Sequence, residues 1–439
     1  MDKIDKIFSD DTHYRFLKIN IAMLRYSGIW PFSPTDNIGW KIFNFIYKIF
    51  NFVVFIFYLM TVGADAVDNI TDLTIVGYDG CFFFGTCAFV YKSCKYSALH
   101  DEIMKLVDEV YKPIDILLQS SDLGVVTNIK YELLIETLLL SCAFSNFVFM
   151  SFAIVFLIPR EKGVLPVRAI FPFDTTSSPN YELAMLYQTY CIFYCMMMML
   201  VLDATAIGLM RWLTIQVMTL TINYKSCNNE LTKRANIVLP PESTKTYKNI
   251  IASKVTDEEL EISNFIPFQV TESQEINDDF YWRFKTCIKN HQRISKIVNN
   301  FNSIYSSIFL AQFAVSATII CLNGFVLILN SSNASNLVRF GIYFALCFGQ
   351  LFIWCWYGNQ LTSTAETMTY NQWMSGWECA YGKVKNNELR NLVTIAMMPA
   401  MKPFEFNAVG LFALSMPTLL AVVKSSYSML ILLTTVTEE

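Results

Sequence analysis

The sequence predicts an all-α membrane protein: seven transmembrane helices, N-terminus cytosolic and C-terminus extracellular, with a helical cytosolic anchor region. Three observations carry this expectation. The 439 residues are 54% hydrophobic and 15% aromatic but only 16% charged, where a soluble domain has about 25% charged residues. Seven apolar runs are long enough to cross a hydrocarbon layer of about 30 Å. The cations sort into alternate loops.

Residues 1–41 read as a cytosolic segment, with no short apolar run before a small-residue cleavage site, so the first span is expected to act as an uncleaved insertion signal. Phe16, Leu17, Met23 and Leu24 suit an amphipathic interfacial helix, which Pro31 and Pro34 end. Residues 42–210 hold spans one to four, the ligand-pocket region. The first runs from Ile42 to Val62, with Lys48 placed to snorkel. Asp65, Asp68 and Asp72 mark a short loop before the second, Leu73 to Tyr91, which contains Asp79. A polar stretch with a helix near His100 to Val110 precedes the third, Leu133 to Ile158. A proline-rich loop leads to the fourth, Leu183 to Met210. Residues 211–302 are a long cytosolic loop with helix extensions and a mobile acidic centre at Asp257 to Asp279.

Residues 303–357 contain spans five and six, Ser303 to Leu329 and Leu337 to Tyr357; residues 358–403 form a cytosolic helix of the anchor region. Residues 404–439 are the pore-lining seventh span and an extracellular tail. The stretch Phe404 to Val436 is mostly apolar, yet it carries Lys424 and the hydroxyl-rich insert Ser425-Ser426-Tyr427-Ser428. Such groups suit a bundle interior or a water-filled path. A packed helix whose lysine is neutralised by a neighbour weighs equally. No internal repeat is visible.

Loops on the N-terminal side of the membrane carry 27 of the 33 Lys and Arg residues, which sets the orientation. The Asn-x-Ser/Thr sites Asn69, Asn330 and Asn333 all fall in the opposite loops, where glycosylation is possible. An inside N-terminus with seven spans inverts the G-protein-coupled receptor arrangement.

Catalytic and cofactor chemistry finds little support. The 3 histidines have no ligand partner at metal spacing, and the 12 cysteines form no CxxC pair. There is no phosphate loop, dinucleotide fingerprint or zinc-protease motif, and no basic stripe for nucleic acid. Neither a metal nor a cofactor is expected. Asp79, Glu136 and Asp203 lie in or near spans and are functional candidates by that position; an interfacial, hydrogen-bonded acid is the plainer reading for Glu136 and Asp203.

Two constellations suggest binding and conduction. Tyr78, Phe82, Phe83, Phe144, Phe147, Val148, Ser151, Tyr190, Tyr194 and Tyr343, with Tyr187 and Phe344 nearby, place aromatics and sparse hydroxyls on the outer halves of spans two, three, four and six. An apolar cavity with few polar groups suits a small neutral ligand; ordinary helix packing by aromatics is the competing account. On the last span Tyr427, Leu430 and Thr434 share a helical face bordered by Leu433. Around a symmetry axis Leu430 would form a constriction that gates by dewetting.

The tail from Trp373 onward resembles the C-terminal signature of insect odorant receptors. The residues that carry the resemblance are Trp373 or Trp377, Arg390, Lys402-Pro403, Leu414-Ser415, Thr418, Lys424, Ser426, Tyr427 and Ser428. Phe171-Pro-Phe-Asp174, Tyr181-Glu-Leu-Ala184 and His291-Gln292 add to it. The resemblance implies an odorant-specific subunit of a ligand-gated, nonselective cation channel passing Na+, K+ and Ca2+. It would assemble with a shared co-receptor in a heterotetramer, among lipids of the plasma membrane of a sensory-neuron dendrite. The ligand would be a small volatile hydrophobic odorant, ester- or terpenoid-like by preference. No co-receptor insert is visible in the second cytosolic loop, which implies a tuning subunit. Pro417 departs from the family pattern and is expected to kink the last helix. A gustatory receptor of the same superfamily is the nearest rival, and a membrane transporter using Asp79 and Asp203 the next.

Overall fold

The computed structural model describes residues 15–32, 37–70, 72–152, 155, 165–228, 232–237, 261–329, 334–380 and 386–438. In chain order the elements are α1 (Arg15–Tyr26), α2 (Ile38–Asp68), α3 (Leu73–Ala98), α4 (His100–Leu118), α5 (Leu123–Phe152), α6 (Asn180–Lys225), α7 (Val270–Ser273), α8 (Phe280–Leu329), α9 (Ala334–Trp373), α10 (Trp377–Ala380) and α11 (Asn386–Ala400). A two-residue hairpin, β1 (Asn407–Ala408) and β2 (Phe412–Ala413), precedes α12 (Met416–Glu438). The seven expected spans fall on α2, α3, α5, α6, α8, α9 and α12. Among the described residues Ile38–Asp68, Leu123–Phe149, Asn180–Lys225 and Phe280–Ile328 are long and apolar enough to cross a membrane, and Met416–Leu432 is a shorter apolar helix. α3 and α9 are more polar: α3 contains Asp79, Lys92 and Lys95, and the end of α9 is rich in amides and hydroxyls.

The surface departs from that of a soluble bundle. Phe43, Phe45, Ile46, Ile49, Phe50, Phe52 and Val53 of α2 are all exposed, as a lipid-facing surface requires. The buried stripe of α2 mixes Phe55, Tyr58 and Val62 with the polar Asn44, Asn51, Thr61 and Asp65. Asn44 Nδ2 donates to the carbonyls of Arg25 (2.7 Å) and Trp30 (3.2 Å), and Asn51 Nδ2 donates to that of Ser27 (3.3 Å). These amides cap the end of α1 and pin it across α2 and α6.

Three helices exceed any bilayer. At 1.5 Å per residue, α6 with 46 residues, α8 with 50 and α9 with 40 reach about 70, 75 and 60 Å. All three pack on one another, and their far ends join α4 and α11 in a second bundle. From Val201 to Tyr224 nearly every residue of α6 is buried. Phe301 stacks on Tyr305 (centroids 4.6 Å) and meets Phe406 (4.6 Å). His291 lies edge-on to Phe404 (5.2 Å), and burial holds its imidazole below the ordinary value, in the neutral form.

Two expectations about chain segments are corrected. The acidic stretch read as mobile is in large part tied down. Residues 257–260 of it lie outside the described residues, but from Glu261 on the chain packs, with Ile262, Phe265, Ile266 and Phe268 buried. Asp122, just before α5, is the reason. One carboxylate oxygen accepts from the Val125 amide (3.1 Å), starting the helix. The other accepts from the amides of Ser263 (3.2 Å) and Asn264 (2.9 Å). Arg283, 2% exposed, grips Asp278 with two bonds of 2.6 and 2.7 Å. Second, the last span does not begin at Phe404. Gly410 at φ +70° and Val409 at φ 54° turn the β1–β2 hairpin, and the helix starts only at Met416. Pro417 therefore sits in the first turn of α12. There it has no intrahelical N–H partner to lose, so no kink follows from it.

Candidate ligand cavity and pore helix

A cavity of about 130 Å³ lies in the middle of the bundle. Phe82 and Thr86 come from α3, Phe147 from α5, Cys191, Cys195, Met196 and Met199 from α6, Gln312, Ser316 and Ile319 from α8, and Cys347 and Gln350 from α9. Carbon and sulfur dominate the wall, which suits an uncharged, apolar guest. Of the polar lining residues, Gln312 of α8 and Gln350 of α9 bond to each other (3.1 Å).

Of the ten residues expected around the ligand, the structure brings Phe82 and Phe147 to this cavity. The tyrosines turn to other work. Tyr78 donates to the carbonyl of Pro166 (3.2 Å), Tyr194 to that of Ser27 (2.6 Å), and Tyr190 to Asn51 Oδ1. A buried phenol must find a partner, and here the partners lie on α1, α2 and the loop before α6. Tyr194 also lines a separate pocket of about 460 Å³ between α1, α2 and α3, with Lys48. Phe83 packs over Gly63 of α2. Phe144 and Val148 face outward, 42% and 38% exposed. Ser151 is buried and bonds back to the Phe147 carbonyl (2.8 Å). Tyr343 falls on α9, but its side chain lies outside the described residues.

A larger chamber of about 500 Å³ adjoins the first and shares Phe147, Leu346 and Gln350 with it. Its wall includes Glu136, Asp203 and Arg211. Asp203 is ion-paired with Lys92 at 2.6 Å, and Lys92 is 1% exposed. The Lys92 ammonium also lies 5.6 Å from the Trp354 ring centre. Gln350 Nε2 donates to the other oxygen of Asp203. Arg211 pairs with Glu132 and stacks over Tyr357 at 5.6 Å. Lys92, counted among the loop cations in the sequence, is thus a buried residue of α3. Asp79 is fully buried, away from both chambers. Among the described residues, no group of His, Cys, Asp and Glu is placed to hold a metal ion.

On α12 the side chains divide by face. Ser426 is buried and donates to the Ala317 carbonyl of α8 (3.2 Å). Leu430 is one turn further on and half-buried; a Cβ built on Gly324 of α8 would lie 3.3 Å from it. Tyr427, 62% exposed, and Ile431, 48% exposed, point away from the subunit, as does Lys424. Thr434 is half-buried and bonds to the Ile431 carbonyl (2.8 Å); the Leu433 side chain lies outside the described residues. Of the glycosylation candidates, Asn69 is partly exposed and donates to Asp65 (2.9 and 3.2 Å). Asn330 and Asn333 lie outside the described residues.

Sequence reasoning missed the α8 wall. Its signal was a pair of polar residues one turn apart, Gln312 and Ser316, inside the apolar run Ala311-Gln-Phe-Ala-Val-Ser-Ala317.

The model of the family described as "7tm Odorant receptor" matches residues 72–427. The chain belongs to the odorant receptor family. It is 28% identical to odorant receptor 94a of Drosophila melanogaster over 146 residues, 33% of this chain and 36% of that one. With odorant receptor Or1 of Anopheles gambiae it shares 22% identity over 276 residues, 63% of this chain and 61% of that one. The chain thus aligns with about a third of the length of the first of these relatives, 36%. Two structures of the olfactory receptor OR5 from Machilis hrabei have the same fold at TM-score 0.74. The one in complex with eugenol is 14% identical and covers 97% of this chain and 100% of its own; the other is 13% identical and covers 96% and 99%.

Proposed function

We propose that this chain is the odorant-binding subunit of an insect olfactory, ligand-gated, nonselective cation channel, opening with a co-receptor in a heterotetramer of the plasma membrane. One observation carries the reading: α8 is a shared wall. Gln312, Val315, Ser316 and Ile319 line the cavity, and within about two turns Ala317 and Gly324 contact Ser426 and Leu430 of α12. A guest that packs better when α8 is displaced changes the seat of α12. Such differential affinity is what shifts a two-state equilibrium.

The sorted cations support an N-terminus in the cytosol, where the second bundle would serve as an anchor between subunits. Na+, K+ and Ca2+ would pass along the unpartnered face of α12. The guest is a small, volatile, apolar compound. Cavities near 150 Å³ lined by apolar residues hold one benzene ring, so about 130 Å³ admits a similar body, and larger ester- or terpenoid-like odorants require the wall at Phe147 to yield. The complex of the Machilis receptor with eugenol supports a ligand of this general kind.

Two measurements test the reading by voltage clamp, in cells with and without a co-receptor. Leu430→Ala should raise ligand-independent current severalfold while odorant dose-response midpoints move little; an unchanged baseline would remove Leu430 from the gate. Phe147→Ala should merge the two chambers. The potency of one-ring odorants should then fall about tenfold, near the loss of 1.4 kcal/mol of packing, while two-ring or terpenoid odorants gain. A parallel loss for both sizes would remove Phe147 from the role of partition.

A further inference from the structure

Lys48 is an exposed cation on α2, beside the exposed Phe45, Ile49 and Phe52. With them it lines the pocket of about 460 Å³ between α1, α2 and α3, a size usual for ligand clefts. Both helices set the depth of that pocket in the membrane. Asp65, near the far end of α2, lies about 25 Å from Lys48 at 1.5 Å per residue, most of a hydrocarbon layer of about 30 Å. Ser97, whose hydroxyl accepts from the Lys48 ammonium, is the penultimate residue of α3, directly before α4 of the second bundle. Lys48 thus stands where the membrane-spanning helices give way to the second bundle, at the level of lipid headgroups.

The pocket joins two chemistries. Its apolar wall runs from the buried Phe55 and Phe89 out to the exposed Phe45, Ile49 and Phe52. Its one charge is Lys48. No Asp or Glu among the described residues lines the pocket, and Lys48 has no ion-pair partner among them. The carbonyls of Arg25, Ser27 and Trp30, at the end of α1, would repel an anion, but each already accepts from Asn44, Asn51 or Tyr194. A lone ammonium at headgroup level beside an apolar cleft is the complement of an anionic headgroup joined to an acyl chain.

We propose that this pocket binds an anionic phospholipid, whose phosphate meets Lys48 and Ser97 and one of whose acyl chains lies along the cleft between α2 and α3. On the orientation that the sorted cations support, the lipid comes from the cytosolic leaflet, which holds the anionic lipids. A zwitterionic lipid fits the same cleft but brings its own cation, which offsets the phosphate and weakens its hold on Lys48. The pocket shares no lining residue with the cavity proposed for the odorant, so the inference stands apart from that assignment.

The test uses the full-length chain in micelles of a neutral detergent and three probes. Dioleoyl phosphatidylglycerol is anionic, dioleoyl phosphatidylcholine has the same chains under a zwitterionic headgroup, and inorganic phosphate has no chains. Apparent dissociation constants come from the concentration dependence of the melting midpoint. Phosphatidylglycerol should bind about fivefold more tightly than phosphatidylcholine, equivalent to about 1 kcal/mol, and phosphate should give no shift. Lys48→Gln should bring the two lipids within about twofold by weakening phosphatidylglycerol alone, and Lys48→Arg should keep the preference. Lys112→Gln should keep it too, because that side chain is 75% exposed on α4 and outside the pocket. Equal binding of the two lipids to the unaltered chain would overturn headgroup selection. A shift with inorganic phosphate as large as that with phosphatidylglycerol would overturn the lipid as occupant. An equal loss of preference in Lys112→Gln and Lys48→Gln would trace it to diffuse surface charge and overturn the pocket. Should Lys48→Gln fail to fold, Lys48→Met, suited to a lipid-facing wall, takes its place with the same expectation.

Discussion

Gly358→Ala is expected to produce a chain that melts well below the unaltered one and carries no odorant-evoked current. Gly358 lies on α9 where the segment between β2 and α12 crosses it. A Cβ built there would stand 2.3 Å from the Leu414 carbonyl oxygen and 2.5 Å from Leu414 Cβ. Leu414 has no room to retreat. It is 1% exposed, and its amide donates to the Phe406 carbonyl at 2.8 Å. The next turn is held as well: Thr418 Oγ1 donates to the Ala413 carbonyl at 2.7 Å. Overpacking against backbone that cannot yield should cost about 3 kcal/mol, and relief is available only by lifting α12 off α9. Gly349, two turns back on α9, has nothing within 4 Å of a built Cβ, so Gly349→Ala should melt like the unaltered chain. Thermal unfolding of the two variants in one detergent checks the pair. Equal melting of both would show that the α9–α12 crossing is looser than its geometry.

The same crossing shows what the sequence could and could not disclose. Apolar runs and sorted cations locate seven helices, because lipid solvation acts on each helix separately and leaves a local mark. Which side of a helix faces the interior leaves a much weaker one. α5 is apolar nearly all round, so Phe144, Phe147 and Val148 look alike in sequence, yet only Phe147 reaches the cavity. Tyr190 and Tyr194 resemble pocket residues until Asn51 and the Ser27 carbonyl arrive from far along the chain to bond them. Lys92 reads as a loop cation because Asp203, 111 residues away, is not beside it in sequence. The hairpin before α12 was hidden by its apolar composition, although Gly410 at φ +70° was a local cue. Helix formation is written locally in the sequence, whereas long-range pairing is not.

Lys92→Met should be the other severe change, and its rescue is the sharper result. Lys92 joins α3 to α6 through Asp203, and Gln350 brings α9 to the same carboxylate. Removing the ammonium leaves a buried charge held by one amide, and breaking such a pair from one side typically costs about 3–5 kcal/mol. Replacing both partners with apolar residues of similar size is often neutral, because neither charge then has to be taken from water. Lys92→Met with Asp203→Leu should accordingly recover most of the melting temperature lost by Lys92→Met alone, a large coupling in a double-mutant cycle. If the two losses simply add, the pair is not coupled and the bond seen between them contributes little.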